Sequence, residues 1–239
     1  MAGRTDVRAG WILLRDGEPA PPARGAQPGE VRDPATVPRG ALQTPGPERR
    51  GPLNRALLTA RITSEEGEPM FPVERGHVKR LGADDALALQ ALLERCRDFL
   101  ELTHEAPRPG AAREFLNNLP NGKTLEDKFV LGLYAEGADE LAGVIDIVRH
   151  WPIRDEWIIG TFLLEPTRRN TGLGASVHRD LEQWVRGQGA TGLRLVVQVQ
   201  NPAGLRFWQR QGYAITGQTV QRTHVRENII HLLRKPLDT

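Results

Sequence analysis

RRNTGLGA, at residues 168–175, is the stretch on which the fold of this chain depends. The run before it, Trp157 to Leu164, is rich in β-branched and aromatic residues and predicts a strand. The run after it, Leu173 to Val185, carries apolar residues at helical spacing and predicts an amphipathic helix. A basic, glycine-containing turn therefore joins a strand to the first turn of a helix.

This turn has the composition of an anion-binding site. Gly172 and Gly174 let a ligand approach the backbone without meeting a Cβ atom, and the first N–H groups of a helix have no partner within it. The helix dipole and two arginines add positive charge, so a phosphate would accept several charge-assisted hydrogen bonds, each worth about 1.5–3 kcal/mol. The alternative is a tight strand-to-helix turn with solvated arginines.

The segments on either side predict the remaining elements. Asn201-Pro202 opens a second helix, with Asn as N-cap and Pro at the first position, and Gly212-Tyr213 ends it. Gly82 to Asp85 caps an earlier helix, whose apolar face includes Leu89, Leu92, Leu93, Cys96, Phe99 and Leu100. A short helix is predicted over Ala111 to Leu119. Strands are predicted over His77 to Leu81, Phe129 to Ala135, Leu141 to Val148, Leu193 to Val199, Ala214 to Arg222 and Asn228 to Leu233.

The resulting order is β-α-α-β-β-β-α-β-α-β-β, which predicts an α/β fold with a mixed (α+β) sheet and helices on both faces. A doubly wound dinucleotide fold would alternate strands and helices from the start.

The spacing Arg169-x-x-Gly172-x-Gly174, followed by a helix that ends in FWQRQGY at residues 207–213, resembles the GCN5-related N-acetyltransferase (GNAT) superfamily. These enzymes move an acetyl group from acetyl-CoA to an amine. The resemblance covers roughly residues 77–239 and is strongest from 157 to 213. It implies an acyl-CoA N-acyltransferase fold and acetyl-CoA as co-substrate, with no metal.

The resemblance also implies where the donor binds. Backbone atoms of the fourth strand of the fold would contact the acyl and pantetheine portion at a point where strands four and five diverge, and the turn would hold the diphosphate. The residues expected around acetyl-CoA are Phe162, Leu164, Arg169, Asn170, Thr171, Gly172, Leu173, Gly174, Ala175, Asn201 and Trp208. Trp208 stands where many members have a tyrosine that protonates the leaving thiolate, and an indole N–H is no acid near neutral pH.

Deprotonation of the acceptor is the larger chemical problem. A lysine-like amine with a pKa of about 10.4 is only about one part in 2,500 neutral at pH 7. Family members often use a carboxylate on the fourth strand as the base. Glu156 is the nearest candidate, with Asp155, Asp146 and His150 as secondary ones, and a surface position at the end of a hairpin is the alternative for Glu156.

Composition restricts the class of protein. The chain has 239 residues, a formal net charge of only +2 and a single cysteine, Cys96, which we interpret as a core residue. No apolar run reaches the roughly 20 residues of a membrane helix. We therefore expect a cytoplasmic protein with neither nucleic acid nor membrane as partner. The family resemblance implies a small-molecule or protein amine as acceptor, and we expect a monomer or a homodimer.

Residues 1–76 hold most of the 18 prolines, and their basic residues are all arginines. This composition predicts a disordered extension before a GNAT domain at 77–239. A second interpretation is that translation naturally starts at or near Met70 and that the leader is an over-extended gene prediction.

Two other functions are compatible with parts of the sequence. The missing tyrosine at position 208 would suit an acyl-CoA-binding module without catalysis. Gly122-Lys123-Thr124 imitates the end of a nucleotide-binding loop, but no strand precedes it, so a polar turn is the better interpretation.

Overall fold

The computed structural model describes residues 69–73, 76–102, 107–222 and 227–238. Eight strands in these ranges form one mixed sheet with the order β1-β2-β3-β4-β5-β6-β8-β7. The strands are β1 (Pro69–Val73), β2 (Gly76–Arg80), β3 (Lys128–Ala135), β4 (Leu141–Val148), β5 (Glu156–Leu164), β6 (Gly192–Gln198), β7 (Ala214–Arg222) and β8 (Glu227–Pro236). The parallel pair is β5 with β6, and the other neighbours run antiparallel.

Five helices in the described residues cover the two faces of this sheet. They are α1 (Ala86–Arg95), α2 (Arg97–Leu102), α3 (Ala111–Asn117), α4 (Leu173–Gly187) and α5 (Pro202–Arg210). On one face, α1 and α3 contribute Leu89, Leu92 and Leu116 to a cluster that also contains Val144 of β4 and Leu163 of β5.

The other face is packed with aromatic side chains. Trp184 of α4 meets Trp157 of β5 edge to face, with ring centroids 5.4 Å apart, and Phe129 of β3 in the same way at 5.2 Å. Trp157 and Phe129 are stacked at 5.6 Å. Because such pairs add to the free energy gained by burying their area, they fix α4 over the centre of the sheet.

The mixed sheet with helices on both faces confirms the predicted fold class. Most strand and helix ends lie within a few residues of the predicted ones. The predicted cap at Gly82 to Asp85 closes a single 3₁₀ turn, Ala83–Asp85, that leads into α1: the backbone N–H of Gly82 donates to Asp85 Oδ2 at 2.9 Å.

The structure differs from the sequence expectation at two places. The predicted single helix after Asp85 is two helices, because Cys96 leaves the helical conformation (φ −97°, ψ 26°). The sheet also begins before the predicted boundary at residue 77, since β1 pairs with β2 and Phe71 stacks on Trp184. The rest of the predicted disordered extension, residues 1–68, lies outside the described residues.

Two smaller expectations concern single segments. Gly122-Lys123-Thr124 forms a polar turn after α3, with Gly122 at φ +78° and Lys123 paired to Asp127 at 3.7 Å. In the part of the chain that the structure describes, no helix is long and apolar enough to cross a membrane.

Candidate active site

The turn at residues 168–175 folds into a concave loop at the N-terminus of α4. Asn170 and Gly172 both adopt left-handed backbone conformations, with φ values of +61° and +87°. Alternation of this kind turns successive N–H groups toward one side, as in anion-binding nests. Asn170, Thr171 and Gly172 are exposed, so that side faces solvent.

The first amides of α4 are only partly engaged by the protein. The N–H groups of Ala175 and Ser176 donate to the Gly172 carbonyl oxygen at 3.1 Å. The N–H of Leu173 reaches Thr171 Oγ1 at 3.4 Å, which is a long contact. For the N–H of Gly174, the described residues provide no acceptor. The loop therefore offers backbone donors at the positive end of the helix dipole.

Arg169 does not point into this loop. Its Nε donates to the Leu164 carbonyl oxygen at 2.8 Å, and its two terminal nitrogens bind the carboxylate of Asp98 in α2. The guanidinium thus ties the end of β5 to α2, and the pKa of Asp98 is lowered chiefly by this hydrogen bond. The loop arginine with more solvent access is Arg168, whose side chain is 45% exposed.

Strands β5 and β6 stop pairing and separate beside the loop. They pair from Glu156 opposite Gly192 to Ile159 opposite Leu195, whereas β5 continues to Leu164. The register of β5 against β4 shifts at the same point: Thr161 lies opposite Asp146 and Ile159 opposite Ile147, which leaves Gly160 as a bulge. A gap therefore opens along the last residues of β5 and leads toward the N-terminus of α4.

The wall of this gap on the α4 and α5 side is apolar. Phe162 of β5 packs edge to face on Trp208 of α5 at 5.4 Å and lies 6.1 Å from the ring of Phe207. A Cβ atom added to Gly174 would meet Leu164 at 3.4 Å and Phe207 at 3.5 Å, which are ordinary van der Waals distances. Phe162, Leu164, Gly174 and Trp208, all predicted around the donor, are therefore brought together here.

Asn201 acts as the N-cap of α5, as predicted from sequence. Its Oδ1 accepts from the backbone N–H of Gly204 at 2.9 Å. An added Cβ on Gly204 would lie 2.6 Å from Asn201 Nδ2, so the capping side chain occupies the space that glycine leaves. The capping oxygen is thus committed to α5, and Nδ2 is the part of the side chain that could donate to a ligand.

Trp208 is largely buried and belongs to an aromatic group with His178 and Tyr213, at centroid distances of 5.5 and 5.3 Å. Tyr213 Oη lies 3.1 Å from His178 Nε2. Burial lowers the pKa of His178 to about 4 and raises that of Tyr213 well above its usual value. Both groups are therefore neutral near pH 7, and Tyr213 packs in the core.

The geometry does not favour Glu156 as a base. Its carboxylate is bound by Arg194 of β6 and by Arg234 of β8, the latter at 2.8 Å. Burial alone would raise its pKa, but the two guanidinium groups lower it below the ordinary value. Glu156 also begins β5, at the opposite end from the gap. We therefore assign this ion-pair cluster a structural role, in place of the predicted catalytic one.

The secondary candidates Asp155 and His150 lie at that same far end, in the turn between β4 and β5, where both have positive φ values. Asp146 is different. It sits in the middle of β4, opposite Thr161 and beside the bulge, and its Oδ2 accepts from Lys128 Nζ at 3.1 Å. The sequence alone offers no reason to prefer it, since Lys128 and Thr161 become its neighbours only through strand register.

The family model described as "Acetyltransferase (GNAT) family" matches residues 89–213, which is more than half of the chain. The chain therefore belongs to the GNAT family of acetyltransferases, and it is an acyltransferase of the N-acetyltransferase class. A search of curated proteins finds no match.

Solved structures share this fold at low sequence identity. A GNAT-family protein from Chromobacterium violaceum superposes with a TM-score of 0.60 at 15% identity, covering 81% of this chain and 97% of that one. Spermidine N-acetyltransferase from Vibrio cholerae, solved with CoA and spermine, gives 0.54 at 14% identity, covering 67% and 94%. An acetyltransferase from Thermus thermophilus gives 0.50 at 18%, covering 71% and 100%. At these identities the likeness concerns the fold alone.

No cluster of three or more metal-ligating side chains occurs among the residues that the structure describes.

Proposed function

We propose that this protein transfers the acetyl group of acetyl-CoA to a primary amine, either of a small molecule or of a protein. The observation that carries the proposal is spatial. The amide-rich loop at the start of α4 lies at one end of the gap that opens where β6 leaves β5. A ligand with a diphosphate at one end and a long, thin arm fits a charged loop that continues into a narrow apolar gap.

The expected pose follows from these features. The diphosphate accepts hydrogen bonds from the backbone of residues 170–175, with Arg168 nearby, while Arg169 holds the wall behind. The pantetheine arm runs between the edge of β5 and α5, past Phe162 and near Asn201 Nδ2. The thioester then lies near the bulge at Gly160, where β5 has backbone groups that no longer pair with β6.

The chemistry is an acyl transfer. The amine lone pair attacks the thioester carbonyl carbon, the new C–N bond forms, the C–S bond breaks and CoA leaves as thiolate. Unpaired backbone N–H groups of β5 are suited to stabilise the developing oxyanion. A thiol with a pKa near 8.5 is a tolerable leaving group without a proton donor, so the indole at Trp208 does not prevent turnover.

The test measures binding and turnover separately. Purified protein is titrated with CoA by calorimetry and then incubated with acetyl-CoA and a panel of amines while released thiol is measured. The panel contains butylamine, putrescine, spermidine, Nα-acetyl-lysine amide and a peptide with a free alanine N-terminus. We expect thiol release with at least one amine, and acetylated product by mass spectrometry.

The test variant is Gly172→Asp, which places a carboxylate where the diphosphate is expected. Nothing lies within 4 Å of an added Cβ at this position. This variant should weaken CoA binding and turnover together. Tight CoA binding with no release on any amine would instead favour a non-catalytic acyl-CoA-binding module. Unchanged CoA affinity in Gly172→Asp would refute the assignment of the loop.

A further inference from the structure

A buried ion pair lies beneath α3, on the face of the sheet opposite α4. Lys128 is the first residue of β3. Its Nζ donates to Asp146 Oδ2 of β4 at 3.1 Å and to the carbonyl oxygen of Asn118, just after α3, at 2.7 Å. The two side chains are 1% and 4% exposed. Burying two charges costs free energy that a hydrophobic pair would not cost, so the arrangement calls for an explanation beyond stability.

One half of the Asp146 carboxylate is left without a partner. Oδ1 is buried and accepts no hydrogen bond from the described residues, although a carboxylate can accept several. Buried acceptors are nearly always paired, with protein, water or ligand. Oδ1 is therefore suited to accept a proton or a hydrogen bond from a molecule that enters the site.

The position of Asp146 relates this acceptor to the reaction. Asp146 and Thr161 are direct cross-strand partners, so their side chains project from the same face of the sheet. Thr161 follows the Gly160 bulge and belongs to the part of β5 that no longer pairs with β6. Since neighbouring strands lie about 4.8 Å apart, Asp146 is one strand away from the gap that would hold the thioester.

We propose that Asp146 takes up the proton that the acceptor amine loses, through one ordered water beside Thr161. The inference rests on the proposed function, and it names the group that deprotonates the acceptor amine. The ammonium group would bind on the α3 face of the gap, opposite the aromatic wall formed by Phe162 and Trp208. One of its protons would pass to the water and from the water to Oδ1, which frees the nitrogen lone pair to attack the acetyl carbon. The second proton, lost from nitrogen as the amide forms, would go to solvent or to the departing thiolate.

The charges around the pair favour this task. Burial raises the pKa of Asp146 to about 7, and Lys128 opposes that rise. Among the described residues, Lys128 is the charged group that shifts the pKa of Asp146. The Asn118 carbonyl oxygen and the ring of Phe115, 5.6 Å from Lys128 Nζ, lie beside the lysine, and Thr161 lies opposite Asp146; all three are neutral. A base must be ionised before it can accept a proton, so its activity rises with pH up to about 7 and is constant above.

The experiment is the pH dependence of kcat/KM between pH 5.5 and 9.5, using the panel amine that releases thiol fastest. For wild type we expect a slope of one below about pH 7 and a plateau above it. Asp146→Asn should lower kcat/KM at least 100-fold at pH 7. Its kcat/KM should then rise with slope one up to the pKa of the amine, about 8 for the alanine N-terminus and about 10 for an alkylamine, because only the neutral amine reacts. CoA affinity should change less than threefold.

Two further variants separate a chemical role from a structural one. Lys128→Met removes the cation that holds the Asp146 pKa down, so the bend in the profile should move to higher pH while the plateau rate is largely retained. Asp139→Asn changes an exposed carboxylate in the turn between β3 and β4 and should leave the profile unchanged. Circular dichroism at each pH establishes that each variant is folded.

The outcomes distinguish this inference from the function on which it rests. If wild type releases no thiol with any amine, the proposed function itself fails. If wild type is active but Asp146→Asn retains the same bend, or Lys128→Met does not move it, Asp146 is not the proton acceptor. If Asp146→Asn does not fold, the bend in Lys128→Met decides alone.

Discussion

Replacing Gly172 by alanine is the sharpest test of the loop at the start of α4. Gly172 has φ +87° and ψ −13°, and the space around its missing Cβ is open, since nothing lies within 4 Å. The methyl group therefore meets no protein atom, and the cost comes from the backbone. An L residue held in the left-handed region costs about 1–2 kcal/mol, which is the expected loss in the free energy of unfolding.

For a domain of this size, each kcal/mol shifts Tm by about 2–4 °C, so the variant should melt about 2–8 °C lower. The loop can relieve the strain only by rotating Gly172 out of the left-handed region, which turns the following N–H groups away from the ligand. Loss of one hydrogen bond to a charged phosphate costs about 1.5–3 kcal/mol. CoA affinity should therefore fall about 10- to 150-fold.

Gly187→Ala, at the other end of α4, is the matched control. Its φ is not positive, and nothing lies within 4 Å of its added Cβ. We expect it to keep Tm or raise it slightly, because alanine favours helix over glycine, and to change CoA affinity less than threefold. Calorimetry and thermal denaturation on both variants decide the matter. If Gly172→Ala lowers Tm as expected but binds CoA as tightly as wild type, the loop shape serves only the fold.

Four other variants, at three positions, test single contacts. Glu156→Gln leaves Arg194 and Arg234 facing a neutral amide and should cost about 1–3 kcal/mol in urea unfolding at pH 7, less than a fully buried pair because both arginines are partly exposed. The fold lowers the pKa of Glu156, so its contribution to stability is present above its unfolded pKa near 4.5 and is lost as the pH falls further. The difference in unfolding free energy between wild type and Glu156→Gln should therefore vanish in acid. A difference that stays constant with pH would contradict the ion-pair account. Asn201→Ala should lower the unfolding free energy by about 1 kcal/mol, because the helix cap is lost. Asn201→Asp should keep the cap but weaken CoA binding, because it lacks Nδ2. Equal CoA affinity of Asn201→Asp and wild type would show that Nδ2 does not contact the ligand. His178 has a pKa of about 4 in the fold against 6.5 in the unfolded chain, so between these values only the unfolded chain takes up the proton. The unfolding free energy of wild type should therefore fall by up to about 3 kcal/mol from pH 6.5 to pH 4. An equally large fall in His178→Gln would show that His178 is not the cause.

The elements around the loop could be predicted because their signals are local. The glycine spacing at 172 and 174, the Asn-Pro start of α5 and the periodicities of β5 and α4 each lie within a few consecutive residues. Their physical causes, helix capping and alternation of apolar side chains, act over the same short distance. Local signals of this kind also identified the family.

The partners of charged side chains could not be predicted, because strand register and helix packing determine them. Arg169 meets Asp98, which is 71 positions away, and Arg234 meets Glu156 across 78. A sequence shows that Arg169 follows a strand but not that α2 brings a carboxylate to it. The same limit explains why the sequence alone favours Glu156 over Asp146 as a base: the choice depends on which strand lies opposite each residue.

The place of the gap follows from how the other strands are committed. Strand β6 pairs with β8 along its whole length, from Gly192 to Gln198, and β5 stays paired with β4 as far as Leu164. The seam between β5 and β6 is therefore where the sheet can open without breaking another ladder. The bulge at Gly160 changes the course of β5 at that point, after Ile159, and the Phe162 and Trp208 rings pack beside it. Backbone groups of β5 that face the seam then lack a strand partner, and a buried backbone group without a partner is costly. The sheet therefore favours a ligand, and not another strand, as the hydrogen-bonding partner of these backbone groups.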